Sequence, residues 1–107
     1  MYAIVTTTCK SLTDRDALVE AALNAKLAAC VQVDDVVSHY VWEGKLEQEE
    51  EYHLTFKTRS ALVPELMAKI REVHSYEIPQ IVETGIISGL PEYLTWIDES
   101  TKRETKE

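Results

Sequence analysis

The chain has 107 residues, one domain's length, and its 45% hydrophobic and 28% charged residues strike a globular balance that excludes disordered and collagen-like classes. Eleven Lys and Arg against 19 Asp and Glu leave a net charge of −8, which repels a polyphosphate backbone and removes nucleic acid from the expected partners. No apolar run approaches the ~18–20 residues of a membrane span, and no basic leader precedes the short apolar segment Tyr2–Val5. A soluble, cytoplasmic protein without a membrane partner is therefore the expectation. In chain order, Tyr2–Thr8 is rich in β-branched residues and reads as a strand. Cys9 and Cys30 form no Cys-x-x-Cys motif and read as reduced, packed thiols. Thr13, followed three residues later by Asp16, approximates a capping box that opens a helix running to Leu27 or Ala28. Leu18, Ala21, Ala22 and Ala25 recur on one face of it, small enough for close packing on a sheet.

From Cys30 the apolar period changes to two. Val31, Val33, Val37 and Val41 share one parity, and after Glu43-Gly44 the alternation resumes through Leu46, Tyr52, Leu54 and Phe56 to Arg59. A two-residue loop at Glu43-Gly44 pairs Val31 with Phe56, Val33 with Leu54 and Asp35 with Tyr52, so apolar parity meets apolar parity. A bulge near Asp34-Asp35 would shift that register. Leu62, Leu66, Ile70 and Val73 mark a second helix with Pro64 in its first turn, ended by His74-Ser75-Tyr76. Ile78–Ile87 reads as a strand, and Pro91 opens a short helix carrying Tyr93, Leu94 and Ile97. The charged run 101–107 reads as a frayed tail, and 1–107 as a single domain. The order β-α-β-β-α-β is the α+β, ferredoxin-like arrangement: an antiparallel sheet with two helices on one face, here with a short C-terminal helix.

The hairpin is long for this domain. Thirteen residues from Cys30 to Trp42 span roughly 43 Å at ~3.3 Å each. A compact chain of this length has a radius of gyration near ~13 Å and hence a diameter of about 34 Å. Its distal half carries Val37, Tyr40, Val41, Trp42 and Leu46, more apolar surface than the domain's own helices cover, which predicts self-association. The alternative is a bent hairpin with Trp42 tucked against the second helix. The run Glu47-Gln48-Glu49-Glu50-Glu51 reads as a solvated edge that deters runaway strand pairing. No Gly-rich phosphate loop, Gly-x-Ser-x-Gly or His-Glu-x-x-His is present, so an enzyme is not expected.

Several stretches in the same order resemble the CutA family of divalent-cation tolerance proteins. They are Lys26-Leu27-Ala28-Ala29-Cys30-Val31, Tyr40-Val41-Trp42-Glu43-Gly44-Lys45-Leu46, Phe56-Lys57-Thr58, His74-Ser75-Tyr76-Glu77-Ile78-Pro79-Gln80-Ile81 and Tyr93-Leu94-Thr95-Trp96-Ile97. The resemblance implies a homotrimer whose hairpins extend neighbouring sheets, and a non-enzymatic role in tolerance of copper or other divalent metal ions. A signalling or scaffold trimer is the other role attached to the fold. Among metal ligands it implies His74, where copper-binding members have a His-His pair and this chain reads Val73-His74. Their cysteine near the end of the first strand falls on Thr7, with Cys9 two residues further along as the substitute. Imidazole suits Cu(II) or Zn(II), and thiolate suits Cu(I). His39 and His53 fall on opposite faces of the hairpin and do not chelate together. Tyr40, Trp42, Lys57, Tyr76, Glu77 and Trp96 are the candidates for an inter-subunit binding cleft, against the alternative of interface packing with a Lys57–Glu77 ion pair.

Overall fold

A computed structural model describes residues 1–103. The elements are β1 (Tyr2–Cys9), α1 (Leu12–Asn24), β2 (Cys30–Trp42), β3 (Lys45–Arg59), α2 (Val63–Val73), β4 (Val82–Ile86) and α3 (Pro91–Ser100), with a 3-10 turn at Ser60–Leu62 leading into α2. The four strands form one antiparallel sheet in the order β2-β3-β1-β4, the expected ferredoxin-like topology.

Alternation along β1 sends Ala3, Val5, Thr7 and Cys9 to one face, where they are fully buried. Leu54 and Phe56 of β3 join them, and Leu18 and Ala22 of α1 with Val63, Leu66 and Ile70 of α2 close the layer above. Each large side chain in this core contributes roughly 1.5–3 kcal/mol by leaving water. The opposite face is covered by α3 over only part of its length: Tyr2 donates its hydroxyl to Asp98 at 2.6 Å, and Arg59 donates to the Thr101 hydroxyl at 2.8 Å.

Helix α1 starts two residues earlier than its capping pattern predicted. Ser11, not Thr13, is the N-cap, and its hydroxyl accepts from the Asp14 amide at 3.1 Å. Ser11-x-x-Asp14 has the same spacing as Thr13-x-x-Asp16, and the earlier pair takes the turn out of β1. The helix also ends early, at Asn24. Lys26 adopts a left-handed φ of 56°, and the amides of Leu27 and Lys26 return to the carbonyls of Ala22 and Leu23 at 2.9 and 3.1 Å. This is a Schellman stop built on lysine instead of glycine. The chain then enters β2, tied by Thr58 donating its hydroxyl to the Leu27 carbonyl at 2.7 Å.

The hairpin register is the expected one from Cys30↔Lys57 to Trp42↔Lys45, with no bulge at Asp34-Asp35. Glu43 and Gly44 have φ of 51° and 79°, the type I′ signs that match the twist of two-residue hairpins. Strand β4 is shorter than the Ile78–Ile87 reading, covering only Val82–Ile86. Pro79 has no amide to donate, and residues 74–81 are occupied in crossing the end of β1. The frayed tail is also corrected at its start: Thr101 is buried, and Arg103 makes a two-pronged ion pair with Glu65 at 2.8 and 2.9 Å. Residues 104–107 of that tail lie outside the described residues. The body measures 49 × 31 × 21 Å with a radius of gyration of 14.8 Å, stretched along the hairpin beyond the ~13 Å of a compact chain.

Candidate functional site

The hairpin register decides which side chains meet. Even-numbered β2 residues share a face with odd-numbered β3 residues, so Ser38, Tyr40 and Trp42 stand beside Glu47, Glu49 and Glu51. The segment Tyr76-Glu77-Ile78, leaving α2, rises against this face. Together they enclose a cleft of about 770 Å³, completed by Thr8, Lys10, His39 and Gln80. Its aromatic walls are partly open: Tyr40 is 38% and Trp42 41% exposed. Trp42 therefore lies over the cleft on an extended hairpin, and the bent-hairpin alternative with Trp42 against α2 does not occur.

Glu51 anchors the arrangement. One carboxylate oxygen accepts from Tyr76 at 2.5 Å and the other from Ser38 at 2.6 Å. Burial and the neighbouring Glu51 carboxylate push the Tyr76 phenol far above its ordinary range, so it stays a proton donor. Glu49 takes Lys10 at 3.0 Å and the Tyr40 hydroxyl at 3.1 Å, and these bonds, the Lys10 one foremost, hold its carboxyl below the usual range. Glu47 and Glu77 line the cleft without a side-chain hydrogen bond or ion pair among the described residues. Glu77 is held by its backbone, whose carbonyl accepts from Arg71 at 2.9 Å.

His74 holds the wall in place. Its Nε2 lies 2.8 Å from the Thr8 carbonyl, and its Nδ1 accepts from the Tyr76 amide at 3.1 Å. That pair of bonds selects the neutral tautomer with hydrogen on Nε2, and it engages both ring nitrogens. A metal could bind His74 only by displacing one of them. Cys9 is completely buried in the core, and burial pushes its thiol up to about 11, so the thiolate that binds metal is scarce near neutrality. Thr7 is buried in the same core, and its hydroxyl has no partner among the described residues. Among the described residues no three His, Cys, Asp or Glu side chains converge on a metal-sized point. His53 pairs instead with Asp34 at 3.1 Å.

The six cleft candidates divide into two groups. Tyr40, Trp42, Tyr76 and Glu77 line one cleft within the single chain. Lys57 and Trp96 lie elsewhere, beside α3: the Lys57 ammonium sits 5.7 Å from the Tyr93 ring centre, and Tyr93 stacks on Trp96 at 5.5 Å. No Lys57–Glu77 ion pair forms among the described residues; Lys57 shares a face with Glu51, but its ammonium lies over the Tyr93 ring of α3. Sequence reasoning missed Glu51, Ser38 and Lys10 as members of the site, and it read the glutamate run as a mere solvated edge. The predicted register already held the signal, since it places alternate glutamates on the face of Tyr40 and Trp42.

Residues 3–100 match the family model described as CutA1 divalent ion tolerance protein. A divalent-cation tolerance protein CutA of Archaeoglobus fulgidus is 36% identical, covering 95% of this chain and 100% of its own. Its structure, described as that of a periplasmic protein, superposes with a TM-score of 0.92. The Pyrococcus horikoshii CutA1 structure gives 0.90 at 33% identity, covering 94% of this chain and 99% of the other. A Xenopus laevis CutA homologue is 40% identical over 84% of this chain, which spans only 60% of that longer protein.

Proposed function

Because the chain belongs to the CutA1 divalent ion tolerance family, we propose that it is a homotrimer that collects divalent metal ions, copper or another, and thereby contributes to their homeostasis. The observation that carries this reading is the cleft, where four carboxylates face one ammonium on a chain of net charge −8. Such a concave acidic surface raises the local concentration of cations. Its oxygen donors suit hard divalent ions better than Cu(I). The described residues of one chain supply no converged ligand set, so tight coordination needs donors from a neighbouring copy. The exposed Val37, Val41 and Leu46 on the hairpin supply apolar surface for that assembly. Both cysteines are free, which fits a reducing compartment such as the cytoplasm. The protonated Tyr76 and Cys9 are poor nucleophiles, in keeping with binding rather than catalysis.

Native mass spectrometry during Cu(II) and Zn(II) titration tests this directly. The expected result is a particle of three 12.2 kDa chains whose metal count falls in a Glu47→Gln/Glu77→Gln double variant. His74→Ala should change metal affinity less than about threefold, since its ring nitrogens are already engaged. A tenfold loss would instead make His74 a principal ligand. A single 12.2 kDa chain that takes up no metal at any concentration would overturn the proposal.

A second reading has its own support. A cleft of about 770 Å³ with Tyr40, Trp42 and Tyr76 on its walls has the size and lining of a small-molecule pocket, as a signalling or scaffold trimer would need.

A further inference from the structure

We infer that the cleft between the hairpin arm and the Tyr76–Ile78 segment is a binding site for an organic cation, an amine or guanidinium attached to an apolar body; this rests on the small-molecule reading. Three features of the cleft carry it together. The first is shape: about 770 Å³ is far more room than a bare ion needs. The second is charge. Glu49 and Glu51 are spent on Lys10, Tyr40, Ser38 and Tyr76, whereas Glu47 and Glu77 face the cleft with no cation paired to them among the described residues. The third is surface. Tyr40 and Trp42 present rings beside those carboxylates, and Ile78, 71% exposed, adds an aliphatic contact.

The spacing of the acids discriminates between kinds of cation. A compact divalent ion needs three or more donors within coordination distance, and no such group exists among the described residues. An organic cation does not need convergence. Its charged head can satisfy one carboxylate while its body stacks on a ring, and the ring faces add attraction for the cation itself. A carboxylate or phosphate ligand meets the reverse: among the described residues only Lys10, already paired with Glu49, and His39 stand against four acids.

Three ligands sharing a phenyl ring test the assignment on the full chain by titration calorimetry: phenethylamine as the cation, phenylacetate as the anion and benzyl alcohol as the neutral form. Saturable binding of phenethylamine alone is expected, weakening with added salt because the pairing carboxylates lie near solvent. Glu47→Gln/Glu77→Gln should weaken it at least tenfold and Trp42→Ala at least threefold. Circular dichroism checks that these surface variants remain folded. Equal binding of amine and alcohol, or unchanged amine binding in the double variant, would overturn the inference. Capture of phenylacetate instead would refute the cation assignment and leave the small-molecule reading standing. Binding of none of the three would end both, without touching the metal reading.

Discussion

Phe56 and Val41 lie on the same hairpin and the same face, yet Phe56 is fully buried and Val41 is 66% exposed. The difference is what lies above them. Helices α1 and α2 cover the end of the hairpin that pairs with β1, and among the described residues no helix or strand covers that face at the other end. Two ends of one ladder, with one alternation pattern, therefore do different work. The body supplies folding free energy, and the arm presents exposed apolar surface and a cleft.

The contrast breaks most sharply by truncation. Phe56→Ala should cost about 3–5 kcal/mol in denaturant unfolding, because it empties the centre of the core. Val41→Ser should stay within about 0.5 kcal/mol for the isolated chain, while shifting any self-association seen by sedimentation. Equal effects from the two variants would erase the distinction between body and arm.

The ends of the elements offer a finer test. Ser11→Ala removes a helix cap in the body and should lower stability by about 1 kcal/mol. Glu43→Asn at the arm tip should raise it by a few tenths to ~1 kcal/mol, since asparagine tolerates the left-handed φ of 51° better than glutamate does. Thermal melts of the two variants would report opposite signs.

Acid gives the smallest effect. The carboxyl of Glu49 is held below its ordinary 4.5 by Lys10 and Tyr40. Its contribution is therefore complete above that ordinary value and disappears as pH falls through the lower, folded-state value. Glu65, lowered by Arg103 in the body, titrates in the same direction. Lys10→Met should flatten the loss of melting temperature between about pH 5 and about pH 3 without abolishing it, leaving the share of Glu65. An unaltered profile would mean that the Lys10–Glu49 pair contributes nothing to the arm.

Much of this molecule is legible without coordinates. Alternation from Cys30 to Trp42 and from Leu46 to Arg59, joined by Glu43-Gly44, determines the register residue by residue, because a one-residue slip would turn Val31, Val33, Val37 and Val41 to the wrong face. Helical spacing of Leu66 and Ile70, with Leu62 buried one turn earlier at the N-cap, determines the buried stripe of α2 in the same way. These are periods of two and 3.6 along the chain, and local sequence carries them in full. Only the tertiary structure decided that α3 covers the opposite face, that Lys57 and Trp96 part company from Tyr40 and Trp42, and that both nitrogens of His74 are engaged. The last of these depends on where the crossover through residues 74–81 passes the end of β1. A path through space has no period for the sequence to display, so the Tyr76–Glu51 contact that closes the cleft emerges only when the chain is folded.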